Sequence, residues 1–100
     1  MVKHIVMWRL LDAAHGNSAE ANARLVKEKL EALRGRISGL ISIEVGIDFS
    51  RSDASADIVL YSEFVDRRAL EGYQAHPEHE ALKPFIGGAT SERRLVDYEC

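Results

Sequence analysis

The chain is predicted to adopt an α+β fold whose elements run βαββαβ, and three observations carry that prediction. Residues 40–49 alternate Leu40, Ser42, Glu44, Gly46 and Asp48 with Ile41, Ile43, Val45, Ile47 and Phe49, the period of two that marks a strand. Ala23, Val26, Leu30, Leu33 and Ile37 recur at intervals of three and four, the period of a helix with one apolar face. A second helical pattern begins near Asp66 and is interrupted by Pro77. With 100 residues, 46% hydrophobic and 29% charged, the chain reads as one folded domain over residues 1–100.

The elements follow in order. Val2 to Leu10 reads as the first strand, with Val2, His4, Val6, Trp8 and Leu10 on one parity and Lys3, Ile5, Met7 and Arg9 on the other. Lys3 and His4 before an apolar run faintly imitate a signal peptide, but Arg9 interrupts the run and no small-residue cleavage site follows. Leu11 to Gly16 is a turn-like connection. Asn17, with Glu20 three residues on, has the form of a capping box opening a helix that runs to about Arg34. Gly35 and Gly39 bracket its end. The strand over Leu40 to Phe49 comes next, then a polar hairpin loop over Ser50 to Ala56. The third strand, Asp57 to Val65, places Ile58, Leu60 and Phe64 on one face and Val59, Tyr61 and Val65 on the other. Asp66 can cap the second helix. His76 precedes Pro77 and is pushed out of the α region, so the helix should break there. It should restart at Pro77, where proline is comfortable, and run to about Ile86, with Gly87 and Gly88 ending it. Arg93 to Tyr98 is the last strand.

Two βαβ halves with right-handed crossovers give a four-stranded antiparallel sheet with its helices on one face, the ferredoxin-like arrangement. The other face is left bare, and Ile5 and Met7 are among its members. An uncovered apolar face needs a partner, and a second copy of the chain is the simplest one. A homodimer joined through the open sheet face is therefore expected.

Composition excludes several partners. Thirteen Lys and Arg against 16 Asp and Glu give a net charge of −3, with no basic run, so a nucleic-acid binder is not expected. No apolar stretch approaches the roughly 20 residues that span a bilayer. Cys100 is the only cysteine, which rules out an internal disulfide and any cysteine-based metal cluster. A cytoplasmic location follows as an expectation.

Several segments also resemble the stress-responsive α/β-barrel (Dabb) family. Val2-Lys3-His4-Ile5-Val6 looks like its first strand, and Ile37-Ser38-Gly39-Leu40 its helix-to-strand turn, with Ser38 where proline is usual. Gly46, with the strand over Asp57 to Phe64, matches its hairpin, and Asp97-Tyr98 its closing strand. The most specific segment runs from Leu70 to His79 and resembles the family's Leu-x-x-Tyr-x-x-His-Pro-x-His motif. The resemblance covers nearly the whole chain. It implies a dimeric α+β barrel, and little about chemistry: many members have no assigned reaction, and some are linked to stress responses. One plant branch holds polyketide cyclases, which close a ring by aldol condensation with the Tyr and second His of the motif as the working pair. Carried over by position, these are Tyr73 and His79, with His4 nearby. More remotely similar barrels include cofactor-free monooxygenases, and a shared fold does not transfer a reaction.

The residues themselves allow two readings. His79 would lie in the first turn of a helix, where positive charge is disfavoured, so a neutral imidazole could act as a general base. The Tyr73 hydroxyl could stabilise an oxyanion. Alternatively, Tyr73 is core, and His76 and His79 cap a broken helix. His4 and Trp8, among apolar neighbours, read first as core, and become ligand contacts with His76 only if they face the same cavity. His76 and His79 lack a third ligand, so no metal site is expected, and no cofactor motif is present. The leading expectation is a protein that binds a small apolar or carbonyl-containing molecule in a cavity between sheet and helices. A cofactor-independent cyclase or lyase using Tyr73 and His79 stands as its alternative, and a cofactor-free monooxygenase as a third.

Overall fold

A computed structural model describes all 100 residues, Met1–Cys100. Ten elements follow along the chain: β1 Val2–Leu10, β2 Ala13–Ala14, β3 Asn17–Ser18, α1 Ala19–Glu31, β4 Leu40–Ile47, β5 Ile58–Phe64, α2 Arg67–Ala75, α3 Pro77–Glu80, α4 Lys83–Ala89 and β6 Thr90–Glu99. Four strands form one antiparallel sheet in the order β4-β5-β1-β6, the ferredoxin-like topology. No helix is long and apolar enough to cross a membrane.

Strand parity decides which side chains meet the helices. Val2, Val6 and Trp8 of β1, Ile43 and Val45 of β4, and Ile58, Leu60 and Phe64 of β5 are all buried. They meet Ala23, Val26, Leu30, Leu33 and Ile37, the apolar stripe of α1 and the turns after it. The stripe outlasts the regular helix. After Glu31 the chain tightens into i→i+3 turns, with the Leu33 N–H on the Leu30 carbonyl and the Arg36 N–H on the Leu33 carbonyl, both near 3.1 Å. At the end of these turns Gly39, at φ +81°, lies against α2, where a Cβ would stand 2.5 Å from that of Ala69.

The edge strand β4 is covered by side chains of α1. Lys27 donates to the Val45 carbonyl at 2.6 Å, and Glu31 accepts from the Val45 N–H at 2.9 Å while pairing with Lys27. These bonds occupy polar groups that would otherwise template another strand. Hydrogen bonds from the Lys27 ammonium first, and then from the Val45 N–H, hold the Glu31 carboxyl below the usual range.

Several expectations from the sequence are corrected. The helix cap is Ser18, whose hydroxyl accepts from the Ala21 N–H at 3.2 Å, while Asn17 instead donates to the Asn22 side chain. The turn-like segment before it is a small hairpin, β2–β3, whose two central residues His15 and Gly16 are at φ +54° and +76°. The break at Pro77 occurs, with Asp66 capping α2 through the Ala69 N–H at 2.8 Å. A second break follows between α3 and α4: Pro84 has no N–H to offer the Glu80 carbonyl, so α3 cannot continue into it. Gly87 and Gly88 lie inside α4 and do not end it, and β6 starts at Thr90, three residues before the expected Arg93. In β4 a register shift between Leu40 and Ser42 turns Ile41 outward, so its alternation buries only Ile43 and Val45.

The sheet face away from the helices is uncovered. Ile5 stands between Tyr61 and Val96, and Met7 between Val59 and Arg94. Met7 is 47% exposed and Val96 51%.

Candidate functional site

The cavity lies on the helix side, between β1, the start of β6 and the segment α2–α4, with a volume of about 520 Å³. That size falls in the range of about 300–1,000 Å³ typical of small-molecule sites. His4 and Trp8 reach it from β1, Gln74 from α2, His79 from α3, and Arg93 from β6. The wall is mixed and not simply apolar, with Val6, Leu30, Leu60 and Ile86 between the polar groups.

His4, Tyr73 and His79 form one aromatic cluster. The Tyr73 and His79 ring centroids are 4.2 Å apart, and His4 meets Tyr73 edge-on at 6.1 Å. Phe64 closes the inner side at 5.1 Å from Tyr73. Tyr73 is fully buried and its hydroxyl has no hydrogen-bond partner, and the same is true of His79 Nδ1. Buried polar atoms in native proteins almost always find a partner, so two orphans side by side are unusual. Burial pushes the Tyr73 hydroxyl well above the ordinary tyrosine value, keeping it a proton donor. Burial also lowers His79 from its usual 6.5; the nearby Gln74 carbonyl, which makes no hydrogen bond of normal geometry to the ring, opposes this, while Lys83 and His4 add to it. The expected neutral imidazole is therefore reached, with burial and not a helix terminus as the main cause.

His4 is buried, and its Nδ1 faces the carboxylate of Asp97 on β6. The two residues are direct partners in the β1–β6 register, so both stand on the helix side. The contact with Asp97 fixes the orientation of the His4 ring through Nδ1. Beneath the ring, Ser62 donates to the His4 carbonyl at 2.8 Å. His76 lies apart from this group. Its Nδ1 accepts from the Glu78 N–H at 3.1 Å, capping α3, and it does not line the cavity. No group of three or more His, Cys, Asp or Glu side chains is placed to hold a metal.

Of the residues named from the sequence, His4, Trp8 and His79 line the cavity, while Tyr73 packs against His79 behind its wall. Sequence reasoning missed Asp97, Gln74, Lys83 and Arg93. The signal for Asp97 was present in the parity of the last strand, once β6 is registered against β1.

The fold and this cluster have relatives. The family model described as the stress responsive A/B barrel domain, Dabb, matches residues 2–100, and the chain belongs to that family. A dimeric protein of unknown function and ferredoxin-like fold from Bacteroides fragilis is 35% identical, with a TM-score of 0.86 over 99% of this chain and 95% of its own. A Dabb family protein with a ferredoxin-like fold from Mesorhizobium loti is 22% identical, with a TM-score of 0.73 over 99% and 95%. The hydroxynitrile lyase of Passiflora edulis shares the fold at 15% identity, with a TM-score of 0.79 over 97% and 90%. No curated protein matches the chain.

Proposed function

We propose that the protein is a cytoplasmic homodimer of single domains, joined through their open sheet faces, in which each cavity binds a small carbonyl-containing molecule. The orphaned pair, Tyr73 Oη and His79 Nδ1 beside a cavity of about 520 Å³, carries this reading. A carbonyl oxygen accepting from the tyrosine hydroxyl supplies the missing partner, and the aliphatic wall takes the rest of the ligand. The exposed apolar groups around Met7, and the dimeric Bacteroides fragilis relative, support the homodimer. The test is a titration of the labelled protein with acetophenone, followed by the ring resonances of Tyr73 and His79. Saturable shifts at both rings, weakened in Tyr73→Phe, support the reading. Shifts confined to other residues, or none, overturn it.

The pairing of His4 with Asp97 favours a second reading, a cofactor-independent aldol-type lyase or cyclase. A neutral His79 removes a proton next to a ligand carbonyl, and the electron pair moves to the carbonyl oxygen, which Tyr73 stabilises by hydrogen bonding. The resulting enolate carbon bonds to a second carbonyl carbon of the same ligand. The new alkoxide takes back the proton from the imidazolium. His4, aligned by Asp97, is the other imidazole in the cluster. Ring closure of an acyclic β-polyketone, followed by absorbance and abolished in His79→Ala, is the expected result. Closure at the uncatalysed rate with wild-type protein rejects turnover and leaves the binding reading in place.

A further inference from the structure

Charge is not evenly spread in the cavity. No Asp or Glu lines it, whereas Lys83 and Arg93 both do. Lys83 is already paired with Glu80 at 2.6 Å. The Arg93 guanidinium is not in any ion pair of the chain. Arg93 is the direct register partner of Trp8, as Asp97 is of His4, so Arg93 and Asp97 share the helix-side face of β6. Four residues of strand separate them, about 13 Å between their backbones. The cavity therefore has a cationic end at Arg93 and Trp8, and a hydrogen-bonding end at His4 and His79, with the Tyr73 ring packed behind His79.

From this polarity we infer that the ligand is an oxo acid: an anionic carboxylate held by Arg93 at one end, and a carbonyl several bonds away presented to Tyr73 and His79. The inference rests on the carbonyl-binding reading and adds its substrate class. The planar guanidinium offers paired donors to both carboxylate oxygens, a geometry that a point cation lacks. The Arg93 backbone is set by the β1–β6 ladder and its head is free, so a carboxylate displaces no internal ion pair. The aromatic face of Trp8 and the aliphatic groups of Val6 and Leu60 line the path between the two ends. A compact 2-oxo acid, whose carboxylate adjoins its carbonyl, cannot reach both ends at once.

Calorimetric titration with 4-acetylbenzoate and its neutral isostere 4-acetylbenzamide tests the inference. Wild-type protein is expected to bind the acid at least tenfold more tightly than the amide, an advantage that shrinks as salt rises. Arg93→Gln should abolish that advantage, lowering the affinity for the acid far more than that for the amide. Arg93 is exposed and unpaired, so the variant is expected to fold, and a circular dichroism spectrum checks this. Arg68→Gln, an exposed cation outside the cavity, should keep the full preference. Equal affinity for acid and amide, or a preference that survives Arg93→Gln, overturns the oxo-acid assignment while the carbonyl-binding reading stands. Failure of both compounds to bind overturns the two together.

Discussion

Replacing Tyr73 by Phe removes a single oxygen from the fully buried core, and the expected effect on stability is a gain. The ring keeps its contacts, with Phe64 at 5.1 Å and His79 at 4.2 Å between centroids. What disappears is a hydroxyl that is buried and without a partner. Leaving such a group unsatisfied costs about 1–3 kcal/mol, and phenylalanine relieves it without opening a cavity. Taking the lower end, a gain of about 1 kcal/mol raises the midpoint of thermal unfolding by about 4–8 °C in a domain of this size. Urea unfolding at one fixed protein concentration is the assay, because the stability of a dimer depends on concentration. The midpoint should rise with no change in slope, since the surface exposed on unfolding is the same. The same variant should bind acetophenone more weakly, so stability and ligand affinity move in opposite directions. A midpoint that falls in Tyr73→Phe refutes the reasoning: the hydroxyl would then hold a partner that the substitution orphans, and Tyr73 would be part of the scaffold.

Three further outcomes are expected. Because burial lowers His79 from its usual 6.5, the unfolded chain holds more protons than the folded one below about pH 6.5. Stability should therefore fall as pH drops through that region towards the folded-state value, and His79→Gln should flatten the slope in urea unfolding between pH 7 and 5. Gly39→Ala should cost at least about 2 kcal/mol, from a left-handed backbone and a Cβ placed 2.5 Å from that of Ala69, read as a drop in unfolding midpoint. Met7→Asp puts a charge in the middle of the open sheet face, so sedimentation should show the proposed dimer shifted to monomer while the circular dichroism spectrum is retained.

The fold was legible wherever one physical rule acted alone. Alternation in β1 and β5 assigned the buried side chains, and the stripe from Ala23 to Ile37 assigned the face of α1, because burial dominates there. Boundaries failed where rules competed. Asn17 and Ser18 are both good caps, and the choice went to the residue whose neighbour was free to pair with Asn22. Gly87 and Gly88 look like a helix terminator, yet α4 carries them to Ala89, which is fully buried. In the site, Tyr73, His79 and His4 were legible through the family resemblance, the first two by their places in the Leu70–His79 segment. Their partners were not, because Asp97 meets His4 across 93 residues of sequence and only strand register brings them together. His76 belongs to the same motif and serves a different purpose, since a histidine ahead of Pro77 can accept the N–H of Glu78.

The alternation of β1 has a genetic consequence. His4, Val6 and Trp8 address the cavity, while Ile5 and Met7, one peptide away on each side, address the open face. Point substitutions can therefore tune what the pocket accepts without altering the outer surface, and the reverse. Deletion of one codon within β1 has a different result: it exchanges the two sets for every residue beyond it, sending a cavity histidine outward and an outer methionine inward. This strand can drift one letter at a time and cannot change length.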